Sequence, residues 1–219
     1  MKLIIVCSFC LLAFVIQDTD KLVYADFESA ESNRPVSSRG GRVQMFGYEQ
    51  NPTLKSKWKG LAGSEPPAPE FIRTKDAENR AIGFDFDLQS TNAFAGVGVQ
   101  IHGQPEKDGK PVADGVSGFK DLTMQVYAIG VSSVSVELVS QGQGIQMMGG
   151  YPQMSFKVSP GLNTYKIDLS KLKQPEWAQT KVNTKDVLKK LTSINISVSC
   201  AQCTQTKGTL VIDNLVFQK

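Results

Sequence analysis

Histidine is almost missing from this 219-residue chain, with His102 the single one. That removes most metal and acid–base constellations built on imidazole. Cysteine is scarce as well, four in all, and Cys7 and Cys10 fall within the first ten residues. No polybasic run occurs: 24 basic and 21 acidic side chains are mixed along the chain, for a net charge of +3. A nucleic-acid partner is therefore not expected. No Gly-x-y period or sustained heptad runs through the sequence, which excludes collagen-like and coiled-coil architecture. What is present is a 41% hydrophobic content, enough at this length for a real core. Global disorder is excluded.

The longest apolar run is at the start. Lys2 precedes fourteen uncharged residues, Leu3 to Ile16, and a polar stretch from Gln17 to Lys21 follows. A charged start and an apolar run too short to span a bilayer comfortably predict a secretory signal peptide, with an uncleaved anchor the alternative. The expected boundary is residue 21. A cut after Ala25, at Val23-Tyr24-Ala25, meets the small-residue rule but would remove half of a first strand, Leu22 to Glu28. The mature protein is expected outside the cytoplasm, secreted or periplasmic in the cell envelope, with no transmembrane segment. It keeps only Cys200 and Cys203. In an oxidising compartment that Cys-Ala-Gln-Cys pair predicts a short disulfide closing a loop. As a zinc site it is half of one, and its flanks are strand-like, where a redox motif would need a helix N-terminus.

The dominant period is two. Ile82, Phe84, Phe86 and Leu88 alternate with Gly83, Asp85 and Asp87. The same pattern recurs at Val97–Ile101, Leu122–Val126, Val134–Leu138, Met154–Val158, Tyr165–Leu169, Ile194–Val198 and Leu210–Phe217. Gly, Pro and Asn clusters separate the runs. Many short half-buried strands with such punctuation predict an all-β antiparallel sandwich or jelly roll. One short helix is expected near 184–191, capped by Thr184. The stretch from Ser32 to Pro69 reads as a long irregular loop. No internal repeat or linker divides the chain, so residues 22–219 are expected to form one domain.

Several segments carry a family resemblance. They are Tyr24-Ala25-Asp26-Phe27-Glu28, Ala95-Gly96-Val97-Gly98-Val99, Gly118-Phe119-Lys120-Asp121-Leu122, Lys173-Gln174-Pro175-Glu176-Trp177 and the terminal Gly208 to Leu215. In order and spacing they resemble the galactose-binding-like β-sandwich, specifically carbohydrate-binding modules related to the complex I intermediate-associated protein domain. The likeness spans roughly residues 22 to 218. It implies a jelly-roll sandwich, a structural calcium and glycan binding. On that fold the first and last strands are neighbours, so Asp26 and Glu28, sharing a strand face, and outward-facing Asp213 are the expected Ca²⁺ ligands. Solvated polar strand faces are the plainer reading of all three.

For a sugar site, flat rings cover apolar sugar faces and amides bond hydroxyls. Tyr48, Trp58 and Tyr151 are the expected rings, with Gln143 and Gln146 as hydroxyl partners. Trp177 reads as a loop anchor. Asp85 and Asp87 share a strand face, but outward polar alternation explains them without the unlike pair of carboxyls that glycoside hydrolysis needs. No nucleophile elbow or Ser–His arrangement exists. The expected function is non-catalytic binding of a polysaccharide or oligosaccharide. The alternative is an assembly module for a protein partner, such as an envelope protein. A hydrolase is the weakest reading.

Overall fold

Period-two alternation commits one face of each strand to the interior, and two sheets stacked face to face satisfy all of these faces at once. The computed structural model describes residues 20–28, 30–31, 34–50, 56–60, 70–73, 79–103, 111–143, 150–200 and 205–219. The segment before Asp20 that the sequence reads as a signal peptide lies outside the described residues, and so do Gln146 and Cys203.

The strands are β1 (Lys21–Ala25), β2 (Ala30–Glu31), β3 (Arg34–Pro35), β4 (Val43–Tyr48), β5 (Lys57–Gly60), β6 (Glu70–Arg73) and β7 (Arg80–Leu88). They continue with β8 (Phe94–Gln100), β9 (Asp121–Ile129), β10 (Ser133–Val139), β11 (Gln153–Lys157), β12 (Leu162–Asp168), β13 (Ser193–Ser199) and β14 (Thr206–Gln218). One sheet has the order β12-β9-β14-β7-β5, with β1 also on β14 and β6 on β7. The other has the order β11-β10-β13-β8-β4, and β2 and β3 form a small separate ribbon. All the strand pairings are antiparallel. The fold is the antiparallel β-sandwich that the alternation predicts.

Inward residues of both sheets form one core. Val97, Val99, Val134, Val136, Leu138, Ile194 and Ile196 from one sheet meet Phe84, Leu88, Leu122, Met124, Leu210, Leu215 and Phe217 from the other. A polar tie crosses between the sheets: the Tyr24 hydroxyl donates to the Val99 carbonyl at 2.7 Å. Its ring also meets Phe217 edge-on at 5.8 Å.

The backbone departs from the sequence expectation in three places. The supposed loop from 32 to 69 contains β3, β4 and β5. Gly47 lies in β4, where a Cβ would collide with the indole of Trp58. The first strand ends at Ala25, and fully buried Phe27 takes a left-handed conformation with φ 54°. Asp26 and Glu28 therefore do not share a strand face, because the chain has already left the pleat. The helix is α1 (Thr184–Lys189), capped by Asn183, whose side chain accepts the Lys185 N–H at 2.9 Å, and not by Thr184.

Alternation in β13 gives a paired test. Ile196 is fully buried, so Ile196→Ala should cost about 2–5 kcal/mol in denaturant unfolding. Its outward neighbour Ser197→Ala should stay within about 0.5 kcal/mol.

Candidate functional site

The outward residues of the five-stranded sheet fall into cross-strand rows fixed by its register. One row runs Gln153, Glu137, Asn195, Gly98, Gln44 from β11 to β4. The next runs Ser155, Ser135, Ser197, Gly96, Phe46. At strand spacing the face is about 19 Å across. Nearly every position carries a hydrogen-bonding group or no side chain at all.

Glu137 and Asn195 sit together near the middle. The Asn195 side-chain amide donates to Glu137 Oε2 at 2.9 Å, and the Tyr151 backbone N–H donates to Oε1 at 3.1 Å. Burial pushes the Glu137 carboxyl up, while the bonds from Asn195 and Tyr151 pull it back toward ionisation. With its nitrogen turned to Glu137, Asn195 keeps Oδ1 over Gly98, where a Cβ would lie 3.0 Å from it. The side-chain amides of Gln44 and Gln153 bond no other described residue.

Rings flank the row at opposite corners. Tyr48, 49% exposed, stacks on Phe94 with centroids 5.8 Å apart, and Phe46 meets Phe94 edge-on at 6.2 Å. At the other corner Tyr151 precedes β11. Its ring is only 7% exposed, and burial, then the Glu137 charge, raises its phenol. The exposed ring there is Trp177, at 66%. A Cβ on Gly150 would lie 3.0 Å from the Trp177 ring, so the indole rests on the residue preceding Tyr151.

Those of the expected sugar residues that are described are therefore not gathered as a group. Tyr48 lies on the face and Tyr151 at its margin as a buried support. Trp58 is half-buried, packed against the core and Gly47 on the inner side. The Gln143 amide is tied to the Pro111 carbonyl at 2.6 Å, away from the row. Sequence reasoning did not place Gln44, Glu137, Gln153 or Asn195 in a sugar site, and it read Trp177 as an anchor. The signal was available in outline, since β10 and β13 place Ser, Glu and Asn at alternate positions.

A second polar cluster forms where β1 ends against β14. Asp213, expected outward and solvated, is only 2% exposed. It lies at a register shift in β14, beside Asn214 with φ 52°. Asn79 and Asn214 side-chain amides donate to its Oδ2 at 3.1 and 3.0 Å, and the Asn214 N–H to its Oδ1 at 2.7 Å. Burial raises its carboxyl most, and the Glu28 and Asp26 charges add to that. Hard oxygen donors suit Ca²⁺. Among the described residues, though, no group of three or more His, Cys, Asp or Glu is spaced to hold a metal. Glu28 accepts the Arg80 N–H at 2.9 Å and Asp26 the Ser38 hydroxyl at 3.3 Å.

Asp85 and Asp87 face outward on β7, as the alternation predicts. They line a cavity of about 620 Å³ with Lys57, Lys207 and Thr209. Thr209 donates to Asp85 at 2.6 Å and Gln205 to Asp87 at 2.9 Å. Cys200 is fully buried at the end of β13. Among the described residues no helix is long and apolar enough to cross a membrane.

No protein-family model matches this chain, and no curated protein does. Solved structures share its fold. The chain is similar to a family 11 carbohydrate-binding module from Clostridium thermocellum in complex with a β-1,3-1,4-mixed-linked tetrasaccharide. The TM-score is 0.59 at 12% identity, with 91% of this chain and 95% of that one covered. It is similar to a family 30 carbohydrate-binding module at TM-score 0.50 and 10% identity, covering 81% of this chain and 99% of that one. At such identity the likeness speaks for fold alone. The chain has a β-sandwich of the kind seen in carbohydrate-binding modules.

Proposed function

We propose that the protein binds a polysaccharide or oligosaccharide across the outer face of its five-stranded sheet and does not cleave it. The observation that carries this reading is the Gln153–Glu137–Asn195–Gln44 row, flanked by exposed Tyr48 and Trp177. Rings seat the apolar faces of sugars, and the amides and carboxylate between them bond hydroxyls. The similar family 11 module was solved with a bound tetrasaccharide. Sugar hydroxyls give up good hydrogen bonds to water, so affinity should be modest, of order micromolar to millimolar. The reading of no catalytic role rests on the described residues, among which no pair of carboxyls with unlike environments flanks one cleft. We propose secretion or residence in the cell envelope as well, a reading supported by Lys2 and the uncharged run from Leu3 to Ile16.

A specific observation favours the assembly-module reading as runner-up. On the outer face of the seven-stranded sheet, Leu162 (55% exposed) pairs with Tyr127 and Tyr127 with Val211, and Ile129 (50% exposed) lies one row away. Apolar neighbours on an exposed face suit a protein surface. Affinity electrophoresis through gels containing neutral polysaccharides separates the readings. Retardation that Tyr48→Ala and Asn195→Ala each weaken about tenfold, ~1.4 kcal/mol, supports the glycan reading. Trp58→Ala should instead lower stability by ~3 kcal/mol, with affinity of the folded fraction unchanged. Unretarded migration through every gel, with a protein partner co-purifying, would favour the assembly module.

We propose also that calcium binds beside Asp213, with Asp26 and Glu28 contributing charge. One Asn79 or Asn214 amide would have to turn its oxygen inward to complete the shell. A carboxyl raised in the folded state costs stability as pH rises through the ordinary Asp range, because the folded form binds the proton more tightly. Calcium would offset that cost. Melting temperature should rise by roughly 5–10 °C at a hundredfold excess over Kd, and Asp213→Asn should abolish the rise. Indifference of the wild type to both calcium and chelator would remove the site.

We propose also that Cys200 and Cys203 form a disulfide in the segment between β13 and β14. Intact mass under denaturing conditions should increase on reduction by about two protons per disulfide opened. Two alkylatable thiols in protein taken from its native compartment would contradict it.

A further inference from the structure

The deepest feature of the face is its charge pattern, and its meaning rests on the glycan reading above. We infer that Glu137 makes this site selective for uncharged glycans and turns away chains bearing uronate or sulfate groups. The carboxylate stands in the central row, on β10, with a strand on either side. Asn195 and the Tyr151 N–H each bond one of its oxygens, at 2.9 and 3.1 Å, and hold it in place. Each oxygen keeps a second lone pair, because a carboxylate has about four acceptor sites and two are used. Asn195 adds a third oxygen over Gly98. The centre of the face is thus a cluster of acceptors.

Hydroxyl groups of a neutral sugar can donate to every one of these oxygens. A carboxylate or sulfate has no proton to offer, and would be placed against a half-buried like charge in a low-dielectric setting. Among the described residues, the opposite charges on this face are at its rim. Lys173 bridges to Gln153 beyond β11, Lys157 ends β11, and Arg42 precedes β4. All three are exposed. Lys173 is two strand spacings from Glu137, about 10 Å, where salt screens exposed charges. Rim lysines can draw an anion toward the protein without relieving the contact at the centre. Neighbouring Ser135, Ser155 and Ser197 are neutral, and the raised carboxyl of Glu137 reports the same half-buried environment.

The test compares a mixed-linkage β-glucan with the same glucan carboxylated at C6, by titration calorimetry on the full chain at neutral pH. The wild type should bind the carboxylated polymer at least tenfold more weakly. Glu137→Gln, isosteric and uncharged, should bring that ratio toward one, chiefly by improving the charged ligand. Gln44→Glu adds a second charge to the same row, three strands away from Glu137, and should widen it, so a Glu137→Gln variant that fails to fold leaves a second readout. Equal or tighter wild-type binding of the carboxylated polymer would overturn the inference while leaving the glycan reading intact. So would a ratio unmoved by either folded variant. If neither polymer binds, the glycan reading fails and this inference with it.

Discussion

Strand register in the five-stranded sheet is the constraint on which the rest depends. Val97 on β8 pairs with Ile196 on β13, and Ile196 with Val136 on β10, so three apolar residues meet in line on the inner face. Because side chains alternate, that inner line also fixes the outer rows. A slip of one residue would bury Glu137 and Asn195 and expose the valines. Burying the core and assembling the polar face are one event. The outer face needs no fold energy of its own, which leaves its side chains free for hydrogen bonds to a ligand.

The last strand imposes a second constraint. Over Thr206–Ile212, β14 pairs with β7, and from Leu215 onward it pairs with β1, while β9 flanks it along most of its length. The change of partner takes place at Asp213-Asn214, where the register shifts and Asn214 turns left-handed. A bulge is a common means of re-aiming a side chain. Here it puts a carboxylate under cover beside the end of β1, with Asp26 and Glu28 nearby. The electrostatic cost is met by amide donors in the structure and, on the proposed reading, by calcium.

Much of the fold was legible because alternation is a local signal: the runs at 82–88, 134–138 and 194–198 all became strands. What alternation did not show is instructive. β4 and β5 escaped notice because Gly47 interrupts the apolar series, and its reason is distant, the Trp58 ring it accommodates. Asp26 and Glu28 were expected on one strand face, but the left-handed turn at Phe27 is set by the core pocket that receives its ring. The site was less legible than the fold. A row across five strands joins residues far apart in sequence, such as Gln44, Glu137 and Asn195, and only the register makes them neighbours. Aromatic content pointed to Trp58 and Tyr151, yet type alone does not say which side of a sheet a ring occupies. The exposed ring at that corner is Trp177, from a turn outside the strand pattern.

The central claim is that the ligand lies across the outer face of the five-stranded sheet, and mapping amide chemical shifts by NMR during titration with neutral oligosaccharides tests it most directly. The account expects perturbations at Gln44, Tyr48, Glu137, Gln153 and Asn195, with the inner-face amides of β7 and β9 little changed. Perturbations centred on Ile129, Tyr127 and Leu162 instead, or none with any oligosaccharide at millimolar concentration, would contradict it.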